Sequence, residues 1–224
     1  MNAATDVFAR PVTLIIALAI ATLLPFAFMT LTSFVKTSTV LQIVRGAIGA
    51  QNVPSSTVIM AFSAALTVLA MAPLGSRLSE RVAPLLAASA QSESAEWLMS
   101  VTAAAKEPIQ SFLRSNASER ERKRFYEIAR AARPAAERDQ VKADDLSVIV
   151  PAFVASELLA AFALGFAIYL PFLVLDMVVA NVLLALGMQM LNPSQVSLPF
   201  KLLLFVAIDG WGLLAQTLVT GYKF

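Results

Sequence analysis

The sequence predicts an all-α protein: membrane-associated helical hairpins with kinked long helices and a small helical periplasmic subdomain. Composition is the first sign. Of 224 residues, 58% are hydrophobic and only 14% charged, with a mean hydropathy of +0.73, too apolar for a typical soluble domain. The second sign is a set of long runs without charge, over 12–35, 54–76 and most of the chain after Leu146. The third is the placement of Glu157, Asp176, Lys201 and Asp209, each alone between apolar runs from Pro151 to Trp211. A lone charge out of water is costly unless a neighbour pairs with it, so these four are expected to be paired within or between subunits.

Several kinds of chemistry are excluded. The chain has no cysteine and therefore no disulfide or thiolate site. It has no histidine, the commonest general base and metal ligand. No Gly-x-x-x-x-Gly-Lys loop is present to cradle a nucleotide phosphate. A net charge of +2 is too small to argue for nucleic acid. Asp176 and Asp209 can be imagined as an intramembrane aspartyl dyad, but nothing near Asp209-Gly210-Trp211 completes a site. No enzyme, cofactor or metal is expected.

Residues 1–76 are expected to form a hydrophobic helical hairpin. Asp6 and Arg10 precede an apolar run about twice the length of a signal peptide's core, so a cleaved signal is not expected. The run from Val12 to Val35 would be about 36 Å as a helix, long enough to cross a hydrocarbon layer. Pro25 should kink it. Lys36 to Arg45 then reads as a short basic connection ending at Gly46 and Gly49, cytoplasmic by the positive-inside rule. Asn52 and Pro54 open the second uncharged run, to Ser76.

Residues 77–145 carry nearly balanced basic and acidic residues and read as the polar, periplasmic helical segment. Pro84 to Ala95 is small and Ser/Ala-rich, as in a linker. Ser118 with Glu121 three residues on is a capping-box pattern, and Glu119 with Lys123 is an i,i+4 pair. Phe125, Ile128, Ala129 and Ala132 share one face of the helix that Pro134 closes. The basic run 120–124 is interleaved with glutamate, which favours a solvated face over nucleic-acid or lipid binding.

Residues 146–224 form the second hydrophobic hairpin, with Asp144 or Asp145 as N-cap and regular geometry expected after Pro151. Ala161 and Gly165, four apart, would let another helix approach closely. Pro171 should kink or break the chain, leaving Asp176 near a turn. By spacing alone, Met188 and Met190 read as fillers of a helix interface.

These residues also carry a resemblance. Pro151-Ala152-Phe153, Ser156-Glu157-Leu158, Phe162 and Gly165, then Leu170-Pro171-Phe172, Asp176, Gly187-Met188, 197–201 (Ser-Leu-Pro-Phe-Lys) and Asp209-Gly210-Trp211 resemble the FliP/SctR family of type III export-apparatus subunits. Residues 23–54 match a second signature of that family. The missing leader favours the injectisome branch over the flagellar one. Two positions depart from the family: Ala163, where a basic or polar residue is usual, and Gln189, where a third methionine is usual.

The resemblance implies a pore-forming structural subunit of the bacterial inner membrane. Several copies, pentameric by resemblance, would join the two smaller export-apparatus membrane proteins and the export gate protein, with lipid around them. Unfolded secreted polypeptides would pass through the ring, which assembly can raise toward the periplasm. It also implies that the loop holding Met188, Gln189 and Met190 is the pore gasket. The alternative is a small secondary transporter using intramembrane carboxylates as a proton relay, which usually encloses its site between repeats of one longer chain.

Overall fold

Backbone surrounded by apolar side chains has to hydrogen-bond to itself, and these uncharged runs do so as helices. The computed structural model describes residues 11–50, 53–88 and 95–224. Within them the order is α1 (Pro11–Leu31), α2 (Phe34–Ile48), α3 (Ser56–Ala88), α4 (Ala95–Asn116), α5 (Glu119–Ala131), a 3-10 helix (Ala135–Gln140), α6 (Leu146–Ala185), α7 (Pro193–Ala207) and α8 (Gly210–Thr220). No strand occurs among the described residues, so the chain is all-α.

Helix α2 sits at the centre. It packs most extensively on α6 and also touches α1, α3 and α7. Val40, Leu41 and Val44 are fully buried in the larger of two apolar clusters, with Phe172, Phe205, Leu214 and Leu218. This corrects the reading of Lys36 to Arg45 as a basic connection: there is no loop there for the positive-inside rule to act on. Apolar residues at 40, 41, 44, 47 and 48 follow helical spacing, and that face outweighs two cations with partners of their own. Gly46 lies inside the helix. Gly49 ends it, at φ 77°, with its N–H bonded to the Arg45 carbonyl at 3.3 Å.

The break in the first apolar run also differs from expectation. Helix α1 continues through Pro25, and the chain turns by 73° at Thr32–Ser33. The Thr32 hydroxyl donates to the Phe28 carbonyl and accepts the Phe34 N–H at 3.3 Å. Such local side-chain bonds compete with the helical ladder and bend it. Helix α6 likewise runs unbroken for 40 residues, about 60 Å, through Pro151 and Pro171. Asp176 is therefore inside a helix and not at a turn. Asp145 is the N-cap residue of α6, but its carboxylate accepts the Lys142 N–H at 2.9 Å and makes no cap hydrogen bond of its own.

Helix α3 passes Ser76 and Pro84 and reaches Ala88. The expected linker at Pro84 to Ala95 is helical where it is described, and its middle, 89–94, lies outside the described residues, as do the N-terminal ten residues and Asn52. An Arg81–Glu107 ion pair ties α3 to α4. A second apolar cluster joins α3, α4, α6 and the C-terminal tail around Phe112, Leu113, Phe153 and Tyr222.

By length and composition, 56–85 and α6 can each cross a membrane. Residues 22–31 with α2, and α7 with α8 across a 57° bend, reach that standard as pairs. Many large apolar side chains on these elements face outward, among them Leu24, Phe26, Phe166, Leu184 and Leu203.

Close packing of α2 on α6 depends on the Ala161/Gly165 pair. Ala161 is fully buried, and a Cβ built on Gly165 would lie 2.6 Å from Ile43 Cδ1. Gly165→Val is therefore expected to destabilise the protein by about 1–3 kcal/mol through overpacking. Thermal unfolding in detergent measures this. Adding Ile43→Ala should recover part of the loss, and an unchanged midpoint in the single variant would refute the close contact.

Candidate functional site

Helix α7 starts cleanly. The Asn192 side chain accepts the Ser194 N–H at 3.0 Å and Pro193 takes the first helical position, where its missing N–H costs nothing. Two turns on, Lys201 is only 4% exposed. Its ammonium lies 2.6 Å from Asp176 Oδ2 on α6 and donates to the Ala47 carbonyl at 3.2 Å. That carbonyl belongs to the last turn of α2, where no helical N–H is available and the helix dipole favours a cation. Ser197 donates to the other Asp176 oxygen. One ammonium thus joins α2, α6 and α7.

Glu157 is not part of that group. It is 4% exposed, accepts the Tyr222 hydroxyl on Oε2, and lies 4.0 Å from Lys36 Nζ on Oε1. Lys36 also stands over the Tyr222 ring, 4.5 Å from its centroid. Burial first, then the Glu157 carboxylate, push the Tyr222 phenol up from its ordinary value, so it remains a donor. The tail is fastened on its other side as well. Asn116 accepts the Lys223 N–H at 3.0 Å and donates to the Lys223 carbonyl at 2.8 Å, while Phe224 stacks on Phe112 at 5.5 Å.

Neither Lys36 nor Tyr222 was identified from the sequence as a partner of Glu157. By sequence Lys36 reads as part of a loop. The one available signal for Tyr222 was a tyrosine beyond an apolar helix, which needs a partner for its hydroxyl when buried.

At the start of α5, Ser118 accepts the Glu121 N–H at 3.3 Å, the first half of the capping box. The second half is replaced: Ser156 of α6 accepts the Ser118 N–H at 2.9 Å. Glu121, freed from that role, holds Arg124 through both oxygens at 3.0 and 3.1 Å. Among the described residues the ion pair within this helix is thus Glu121–Arg124 and not Glu119–Lys123. Phe125 packs on the second cluster, but Ile128 faces out at 52% exposure.

The turn between α6 and α7 is built by local rules. Gly187, at φ 72°, gives its N–H to the Leu184 carbonyl, and Met188 N–H reaches back to Leu183 at 2.9 Å. This paired pattern closes a helix at a left-handed glycine. Beyond it Met188 is 48% and Met190 99% exposed, with Gln189 exposed between them. Within the chain they fill no interface. Asp209 stands apart too. It lies exposed at the α7–α8 bend with φ 51° and no side-chain cap, and no ion pair to it occurs among the described residues. No group of carboxylates suited to a metal occurs among the described residues either.

The model of the FliP family matches residues 17–218. The chain is 40% identical over 210 residues to the hypersensitivity response secretion protein HrcR of Ralstonia nicotianae, covering 94% of this chain and 96% of that one. It is 38% identical over 211 residues to the Yop proteins translocation protein R of Yersinia pestis, covering 94% and 96%. Identity to the virulence protein YscR of Salmonella typhimurium is 36% over 213 residues, covering 95% and 97%.

Removing the Lys201 ammonium would strand the Asp176 carboxylate and leave the end of α2 open. Lys201→Ala is expected to cost about 3–5 kcal/mol of stability, since one partner of a buried pair is left behind. Chemical or thermal unfolding in detergent checks this, and adding Asp176→Asn should restore part of it. A Lys201→Ala protein as stable as the parent would rule out a structural pair.

Proposed function

The chain belongs to the FliP family, and from that membership we propose that it is an export-apparatus subunit of a type III secretion system, of the injectisome branch. Its relatives bear names of secretion, translocation and virulence, which supports that branch. In this reading several copies, five by family resemblance, assemble in the bacterial inner membrane with the two smaller export-apparatus proteins and the export gate protein. Unfolded secreted polypeptides pass through the ring, and assembly can lift it toward the periplasm.

The observation that carries the reading is the α6–α7 hairpin: long, apolar on its outer faces, and tipped by a methionine with 99% of its surface exposed. A monomer has no reason to present Met190 in this way. In a ring the tips converge, and methionine suits a seal there, being apolar enough to exclude water and flexible enough to wrap a passing side chain. Gln189 makes this seal wetter than three methionines would. The surface apolar residues on α1, α3 and α6 supply the area that neighbouring copies or lipid would cover.

The transporter alternative gains nothing from the geometry. Glu157 and Asp176 are each engaged by a cation and a hydroxyl within the chain, which leaves neither free to relay protons.

Two measurements test the proposal. Purified in mild detergent, the protein should have the mass of an oligomer, and a well-folded monomer as the sole species would refute self-assembly. Met188→Ala with Met190→Ala should leave assembly and most secretion intact but make the closed complex leak ions. Unchanged membrane conductance at normal complex levels would refute the gasket.

A further inference from the structure

Six charges lie on the apolar elements α2, α6, α7 and the α7–α8 bend: Lys36, Arg45, Glu157, Asp176, Lys201 and Asp209. Four of them pair within the chain, as Lys36 with Glu157 and Lys201 with Asp176. The remaining two have opposite sign. Arg45, on α2, donates one Nη1 bond to the Ser56 hydroxyl at 2.7 Å and meets no carboxylate among the described residues. Asp209 meets no cation among them.

Both stand in segments whose large apolar residues are exposed. Asp209 is the one non-glycine residue at positive φ among the described residues, and Val206, Ile208 and Leu213, close to it in sequence, are exposed. Its carboxylate is turned over the first turn of α8, where a Cβ on Gly212 would lie 2.3 Å from Oδ2. The glycine leaves that space open. Arg45 reaches Ser56 at the start of α3, a segment that also carries exposed Val53 and Val58. Surface as apolar as this is covered in use, and a charge that is covered needs a partner.

We infer that Arg45 of one copy pairs with Asp209 of the next copy around the ring. A head-to-tail contact uses two different patches of the same chain, so one patch can carry the cation and the other the anion. Every contact repeated in that way satisfies both charges, whereas a different partner protein would satisfy only the copies it touched. The planar guanidinium also suits a carboxylate, and Ser56 takes only one of its five N–H donors. The inference rests on the self-assembly proposed above.

The natural absence of cysteine allows a clean test. Arg45→Cys with Asp209→Cys in one chain, assembled with the rest of the apparatus and treated with a short bis-maleimide, should yield a ladder of covalent oligomers on a denaturing gel. Co-expressed single-cysteine chains should stop at dimers. Independently, Arg45→Asp or Asp209→Arg should each reduce recovery of the native complex by roughly tenfold or more, and the double reversal should return it to within about twofold. Native complex without a ladder, together with undiminished single reversals, would overturn the pair and leave self-assembly standing. Crosslinks that form only to another protein would overturn it in favour of that partner. Failure of the unsubstituted protein to form any complex would remove the self-assembly and the pair with it.

Discussion

Two lysine ammonium groups, that of Lys201 buried and that of Lys36 partly buried, fasten the two ends of α2, and the other elements are arranged around that helix. Lys36 lies in its first turn, where the dipole disfavours a cation, and the Glu157 carboxylate 4.0 Å away offsets this. Lys201 comes from α7 to its last turn, where both the dipole and the Ala47 carbonyl favour it. The chain thereby commits four of these charges, Lys36 with Glu157 and Lys201 with Asp176, to defined neighbours. Such pairs are poor sources of stability compared with apolar packing, but leaving half of one is expensive, so they discriminate strongly between arrangements of the same helices.

Close backbone approach supports the same geometry. Gly165 admits Ile43 of α2 and Gly210 admits the ring of Phe205, with no room at either position for a Cβ. Phe205 then meets Trp211 edge-on at 5.1 Å, and Trp211 meets Phe62 of α3 at 5.9 Å. The bent α7–α8 arm is held against α3 in this way, and against α6 by Phe205 on Phe172 at 6.3 Å. In the distal half of α6 and the turn after it, Met177, Val178, Val182, Leu184, Met188 and Met190 have exposed side chains.

The C-terminal tail closes the opposite end. Tyr222 completes the Glu157 site, and Asn116 holds the Lys223 backbone on both its groups. A few residues after the last helix therefore connect α2, α4 and α6, and apolar packing of Phe224 on Phe112 holds them in place.

Local chemistry was legible in the sequence. The helical class followed from the apolar runs, the start of α5 from Ser118 and the end of α2 from Gly49. Each of these depends on residues within a few positions of one another. What depended on distant chain was not legible. Pro25 and Pro171 carry the stronger intrinsic tendency to bend a helix, yet α1 and α6 run through both while the turn falls at Thr32–Ser33, where α2 must leave α1 to pack on α6. Residues 36–45 look like a basic loop until Glu157 accounts for Lys36 and the apolar face finds α6. Glu157 and Tyr222 are 65 positions apart, and no periodicity links them. The sequence by itself determined that the apolar runs are helical, where α5 starts and α2 ends, and that the charges among them require partners. Only the tertiary structure decided which partners, because pairing a charge out of water depends on distances of a few ångströms that packing alone sets.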